Sequence, residues 1–417
     1  MLKQLFNSKN KDLQKRILFT LVSLFIFVLG KAIIVPGIDQ YSLGVDQLGF
    51  LELINVMGGG ALSQFSIFAL GVMPYITASI IIQILAMDIL PYLSELKKQG
   101  GTGRAKMNKI TRITGIALAF IQGYIYSFAF LGNSGGIVNM DYLVFSLVLT
   151  AGTCLLLWIG DQITAKGIGN GISLIIMAGI ISSLPTMFLT AFNELTQNGS
   201  ITGIILFIVY VLVYIGIILG VVYVEGAERR INVQYANKSN SSYGGRQNYV
   251  PFKLNSSGVM PVIFASALIS IPAFIASFVK NAEFTNFVEK YLSMDTPIGF
   301  TLYIILIFMF AYFYTFMQIK PSEMSENLNK NGGYIPGVRP GNDTKEYISI
   351  VLSRITVVGA LFLAILAGLP VIFGVVSGLS ASVTLGGTGL LIVVGVALET
   401  FKQLESQLQS RSYRKGR

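Results

Sequence analysis

Apolar residues come along this chain in long runs, not at the alternating or every-third-and-fourth positions that mark half-buried elements of a soluble protein. A helix needs about 20 apolar residues to cross roughly 30 Å of hydrocarbon. On that criterion ten spans are predicted, at 17–35, 61–90, 113–131, 142–162, 172–192, 201–224, 257–278, 298–318, 350–370 and 386–402. The second is interrupted: "MGGGALSQFSIFALGVMP" breaks it with three glycines and Pro74, leaving one element of about 12 residues, too short to cross at about 1.5 Å each, and another of about 17. Two readings stay open, a single proline-kinked span and a re-entrant element inside a pore, since half-length helices at membrane depth need protein or water around them.

One piece of that interrupted span recurs. "GVMPYITAS" (Gly71 to Ser79) returns as "GVMPVIFAS" (Gly258 to Ser266), identical at seven of nine positions. The copies lie in spans two and seven, and an offset of five spans puts them in opposite orientations. That is the mark of an inverted repeat with a pathway between its halves, the competing reading being chance reuse of a helix-breaking Gly-Pro unit.

Composition agrees with the runs: 53% of the 417 residues are hydrophobic and 12% charged, too apolar and too charge-poor for a soluble chain of this length. The net charge of +10 concerns topology before it concerns any anionic partner. Of the 30 Lys and Arg, 27 lie in alternate connections and at the two ends, which places both termini and the basic loops in the cytoplasm. Residues 1–16 are basic and lead straight into the first span without a small-residue cleavage site, so they read as a retained cytoplasmic segment.

Candidate chemistry is sparse. The chain has no His and a single Cys, Cys154 within an apolar run, which excludes His-based acid/base work, zinc sites of the usual kind and disulfides within the chain. No catalytic residue, metal ligand or cofactor is expected, and no G-x-x-x-x-G-K-[ST] phosphate loop occurs. "KGIGNGIS" (Lys166 to Ser173) imitates a nucleotide loop but joins two spans and follows no strand, so it reads as a tight turn. Lys31, Asp88, Asp161 and Arg354 are ionisable residues at depth, and all but Lys31 lie near predicted cytoplasmic ends where they can snorkel. The spans offer no mid-membrane acid of the kind an ion-coupled symporter uses.

Val72, Ile76 and Ile263 fall at corresponding positions of the two "GVMP" copies. Singly each reads as a core or lipid-facing residue; together around a pathway they form an apolar constriction that stops hydrated ions by dewetting. The two long polar loops, 225–256 and 319–349, are basic, glycine-rich and longer than connectors need to be. They read either as docking surfaces for an anionic or acidic cytoplasmic partner or as solvated loops that set topology. On these features a channel competes with a secondary transporter and with a scaffold or insertase that has no pore.

Seven motifs decide among them: "IIVPGID", "GGGALSQFSIFALGVMPYITASIIIQIL", "LLLWIGDQITAKGIGNGISLIIMAGI", "ERRINVQYA", "LNSSGVMPVIFAS", "PGVRPG" and "GGTGLLIVV". Together, along nearly the whole length, they resemble the SecY family, channel subunits of the bacterial Sec translocase. The resemblance implies an all-α membrane fold of ten transmembrane helices in two inverted five-helix halves, 17–192 and 201–402, joined by an external connector at 193–200 and followed by a basic tail at 403–417. A re-entrant plug helix at about 51–65, including Leu51, Met57, Ala61, Leu62 and Phe65, is implied in the first half. The pore ring maps onto Val72, Ile76, Ile172, Ile176, Ile263 and Ile392. The lateral gate, between spans two/three and seven/eight, maps onto Thr77, Gln83, Gln122 and Asn255, polar residues expected to face one another across it. Arg229, Arg230, Arg246 and Arg339 match positions that engage SecA or the ribosome. SecE, usually SecG, the ATPase SecA, the ribosome, signal-bearing polypeptides and membrane lipid are the implied partners, and a bacterial plasma membrane the implied location. This chain departs from the family in having Lys31 where Arg is usual, which forfeits a bidentate fork, and in short external loops after spans three and nine.

Overall fold

The computed structural model describes residues 11–36, 55, 58–86, 89–130, 140–196, 201–235, 249–279, 282–293, 296–379 and 381–415. In chain order its first helices are α1 (Lys11–Gly30), α2 (Met73–Leu85), α3 (Pro91–Lys98), α4 (Gly101–Phe130), α5 (Met140–Lys166), α6 (Gly171–Thr196) and α7 (Ile201–Gly226). Strands β1 (Glu228–Asn232), β2 (Gln234–Tyr235) and β3 (Tyr249–Lys253) precede α8 (Met260–Val279), α9 (Ala282–Tyr291), α10 (Pro297–Gln318) and α11 (Pro321–Lys330). Strand β4 (Gly333–Tyr334), α12 (Asn342–Ser377) and α13 (Ala381–Lys415) follow. Among the described residues six stretches are long and apolar enough to cross a membrane: Lys11–Gly30, Met140–Lys166, Gly171–Thr196, Ile201–Gly226, Pro297–Lys330 and Asn342–Gly374. On α7 the residues Ile204, Ile208, Leu212, Ile215 and Leu219 stay exposed while Tyr210, Tyr214, Ile217 and Val221 are buried, so this helix is apolar on both faces, as a lipid-facing helix must be.

The two copies of the repeated segment fold alike. Gly71 (φ +56°) and Gly258 (φ +63°) both take the left-handed conformation, which ends the preceding chain direction without a Cβ penalty. Two residues on, Met73 and Met260 open α2 and α8. Pro74 and Pro261 fall in the first turn, where a missing amide costs nothing. The first interior bonds match as well: Ile76 N to Val72 O (3.1 Å) and Ile263 N to Val259 O (3.4 Å). This start point makes α2 13 residues long, against the 17 or so expected. Residues 58–72 before it form turns instead of a regular helix.

Contacts between helices repeat too. In the first half α2 packs on α4, α4 on α5, α5 on α6, and α1 on both α5 and α6. In the second half α8 packs on α10, α10 on α12, α12 on α13, and α7 on both α12 and α13. Each second-half pair is the first-half pair shifted by five apolar helices. In apolar surroundings helices associate through close packing and internal hydrogen bonds, because lipid is as apolar as the side chains. The α4/α5 contact shows both: Gly123 lies against Ser146, whose Oγ donates to Phe120 O (2.7 Å), and Arg112 pairs with Asp161 at the other end. The halves meet where α6 packs on α13 and on α7, and one apolar core runs through both.

The two long loops join into one body. β1 and β3 form an antiparallel hairpin with Arg229 opposite Phe252 and Ile231 opposite Val250. β2 pairs with β4 across 100 residues of sequence, reinforced by Tyr334 Oη donating to Gln234 Oε1 (2.8 Å). Ile348, Val351, Leu352 and Ile355, an i, i+3, i+4, i+7 stripe on α12, pack with Ile231, Val233, Phe252, Leu328 and Ile335 beneath them.

Candidate functional site

A cavity of about 410 Å³ opens where α2, α6, α8 and α13 converge. Its walls carry both apolar and polar side chains, Ser79, Gln83, Ser173 and Asn255 among the latter. Ile76, Ile172, Ile176, Ile263 and Ile392 line it, four of them nine-tenths or more buried and Ile172 partly so. Glu225, Lys253, Gln318, Glu399 and Lys402 line it as well, and they come from the ends of apolar helices and from β3. Carbon surfaces offer no hydrogen bonds to water, so where isoleucines face one another they resist hydrated ions without gripping a passing solute. Lys402 Nζ donates to Glu225 O (2.8 Å), so α13 caps the last turn of α7 with a cation, as the helix dipole favours.

Five of the six predicted ring residues therefore share one cavity. Val72 does not line it; it is buried in the adjoining core at the N-terminus of α2. Its counterpart in the repeat, Val259, does line it, beside Met260 and Val396. Sequence reasoning missed Val259, although aligning the two "GVMP" copies pairs it with Val72 directly.

Of the predicted gate residues, Gln83 and Asn255 line the cavity, and Thr77 and Gln122 do not. The expected meeting of polar side chains across α2 and α8 takes another form. Asn255 Nδ2 donates to Glu225 Oε1 (2.8 Å) and Gly258 O (3.0 Å), and its Oδ1 accepts from Ser257 Oγ (3.2 Å). Gln83 Nε2 donates within its own helix to Ser79 Oγ (2.9 Å), and Thr77 Oγ1 to Met73 O (3.1 Å). The physical reason is reach: the carboxylate closing α7 is nearer to Asn255 and, being charged, the stronger acceptor.

Ala61, Leu62 and Phe65, expected in the plug, are buried, and Leu62 belongs to the main core. Phe65 holds a positive φ of 47°, fixed by Val35 N donating to its carbonyl (3.0 Å). Leu51 and Met57 lie outside the described residues.

Among the predicted docking cations, Arg229 and Arg230 are exposed on β1. Arg230 Nε pairs with Glu228 Oε1 (2.7 Å) and its guanidinium stacks on the Tyr249 ring (4.7 Å), contacts that order it on the surface. The Glu228 hydrogen bond, with the Tyr249 hydroxyl next, raises its pKa above the ordinary arginine value. Arg339 is exposed on the turn between β4 and α12, where Thr344 Oγ1 donates to its carbonyl (2.8 Å) and Ser325 Oγ to Gly341 O (2.7 Å). Arg246 lies outside the described residues.

Two sets of apolar helices with matching contacts, meeting at a cavity lined by isoleucines from both, define a polytopic membrane protein of the channel and transporter class. Sequence comparison narrows the class. The SecY family model matches residues 66–401. The protein translocase subunit SecY of Bacillus licheniformis is 45% identical over 420 residues, covering 97% of this chain and 96% of its own. That of Staphylococcus carnosus is 45% identical over 416 residues, covering 97% of each. The chain belongs to the SecY family. Its fold is that of a solved protein-conducting channel (TM-score 0.63, 19% identity, 94% of this chain and 92% of that one). It is also that of Sec61 in a canine ribosome–channel complex (TM-score 0.60, 20% identity, 94% and 92%).

Proposed function

We propose that this chain is the protein-conducting subunit of a bacterial Sec translocase, passing unfolded secretory polypeptides across the plasma membrane and releasing membrane-protein segments sideways into lipid. The observation that carries the reading is the cavity at which Ile76, Ile172, Ile176, Ile263 and Ile392 converge from four helices of both halves. A ring of isoleucines contributed by both halves suits a substrate whose side chains vary from residue to residue.

In this reading all ten apolar helices span the membrane in two inverted halves, 17–192 and 201–402, with residues 1–16 and 403–417 on the cytoplasmic side. The repeated helix contacts support the halves, and the alternation of basic loops supports the orientation. The ring and a plug from about residue 51 to 65 seal the resting channel. A signal helix enters between α2/α4 and α8/α10, where it exchanges its own apolar surface for the contacts made by Asn255 and Gln83. SecE, with SecG, embraces the helices from the lipid side. SecA and the ribosome dock on the joined 225–256 and 319–349 loops, through Arg229, Arg230, Arg246 and Arg339.

The test is a crosslink. Cys154 is replaced with Ser, a photoreactive residue is placed at Ile263, and a secretory protein is stalled halfway across vesicles carrying the chain and SecE. Crosslinking that requires a signal sequence and SecA with ATP is expected. Crosslinking confined to lipid-facing control positions such as Ile208 would refute a polypeptide pathway through the ring.

A further inference from the structure

A plug that must leave during transport and return afterwards needs a contact strong enough to keep it seated and weak enough to give way. Residues 58–72 are fixed at their C-terminal end by backbone. Val35 N donates to Phe65 O and Ile67 N to Ile33 O (both 3.0 Å), a two-bond ladder on the chain leaving α1. A Cβ at Gly152 of α5 would collide with the Ile67 carbonyl, so this end is also packed without slack.

The N-terminal end is held differently. Lys31, one residue past the end of α1, donates from Nζ to Gly59 O (2.8 Å) and to Ser182 Oγ of α6 (2.7 Å). Ser182 Oγ spends its own proton on Gly179 O (2.7 Å), so it meets the ammonium with a lone pair. Gly59 has φ +73°, and a Cβ there would collide with Ser182 Oγ and lie 2.8 Å from Gly179 O. The turn thus lies directly against α6 with its carbonyl turned to Lys31. Asn55 ties into the same turn, its carbonyl accepting from Gly60 N (2.7 Å) and its Oδ1 from Ser63 N (3.0 Å).

We propose that Lys31 is the latch of the resting seal: a positioning residue whose ammonium clips the Gly59 turn to α6 and sets how readily that turn departs. The proposal rests on the plug reading given above. Three elements meet at one cation, and one of them, α6, also carries Ile172 and Ile176 of the cavity wall. A rearrangement of α6 at the cavity wall therefore also bears on the Lys31 contact, which couples the latch to the cavity. A single ammonium serving two separate acceptors here does without the planar fork that an arginine would bring.

The test measures ion leak from vesicles holding the full chain with its partner subunits and no substrate. Lys31→Met keeps the apolar stem and removes the donors, and is expected to raise the resting leak about tenfold, equivalent to about 1.4 kcal/mol. Lys31→Arg is expected to keep a tight seal, and Ser182→Ala to give a smaller rise than Lys31→Met. In a chain lacking residues 51–57 the leak is expected to be high already, with Lys31→Met adding nothing. A silent Lys31→Met beside a leaking deletion overturns the latch and leaves the plug standing; a silent deletion overturns the plug reading and the latch with it. Equal increments from Lys31→Met with and without residues 51–57 would place its effect elsewhere and overturn the latch. If Lys31→Met does not assemble, Ser182→Ala decides alone, and a wild-type leak from it counts against the proposal.

Discussion

Asn255→Leu tests the gate through one side chain. In the structure Asn255 donates to the Glu225 carboxylate (2.8 Å) and to Gly258 O (3.0 Å), accepts from Ser257 Oγ (3.2 Å), and is 5% exposed. A hydrogen bond to a charged group contributes about 1.5–3 kcal/mol and a neutral one about 0.5–1.5 kcal/mol. Leucine, similar in size, forfeits all three and leaves a half-buried carboxylate without its donor. Water in the cavity recovers part of that loss, and Gly258 and Ser257 are near in sequence, so their bonds change little with gate position. The Glu225 bond ties the entry of α8 to the end of α7 on one side of the proposed gate, and with its loss of about 2 kcal/mol assigned to the closed state the equilibrium is expected to shift about 30-fold toward open. The assay is export of a reporter whose signal sequence has a shortened apolar core, with wild-type signal as control. Asn255→Leu is expected to rescue the defective signal. Glu225→Gln keeps an acceptor but loses the charge, and is expected to rescue less; the double variant is expected to match Asn255→Leu alone. Unchanged stringency in a chain that assembles at the wild-type level, or effects of the two substitutions that simply add, would refute the reasoning.

Two further outcomes follow from the cavity and the loops. Ile392→Asn puts an amide into the apolar ring and is expected to raise resting ion conductance by wetting it, while Ile392→Leu leaves conductance near the wild-type value; single-channel recording separates them. Arg339→Glu reverses a charge on an exposed turn whose backbone is held by Thr344 and Ser325, so the thermal midpoint of the purified complex is expected to stay unchanged while SecA-driven translocation falls at least tenfold.

The apolar runs located the long helices because at membrane depth every backbone group must be satisfied within its own helix, which ties length to hydrocarbon thickness. The repeated nonapeptide was legible for a related reason: Gly71 and Gly258 each take a conformation that few other residues tolerate, so the motif carries its own geometry. The partners of Asn255, Lys31 and Gln234 were not legible. Glu225 is 30 residues from Asn255, Ser182 is 151 from Lys31, and Tyr334 is 100 from Gln234, and no local pattern encodes such meetings. Nor does an isoleucine in an apolar helix announce whether it faces lipid, core or cavity. Ile208 and Ile263 read alike in sequence, yet one is 53% exposed and the other 5%. The repeated segment brought Ile76 and Ile263 together, and motif resemblance, not periodicity, added Ile172, Ile176 and Ile392.

The pairing of β2 with β4 also has a mechanical meaning. It joins the described strands of the two loops into one head on α12, a shaft of 36 residues and so about 54 Å long at the usual rise. Partway down that shaft Gly359 bears on Leu254, close enough that a Cβ there would lie 2.6 Å from the Leu254 carbonyl. Leu254 is the neighbour of Asn255. A load applied to the head by any large partner is therefore delivered through a lever whose bearing lies one residue from the Glu225 contact, and it reaches that contact without the partner entering the cavity.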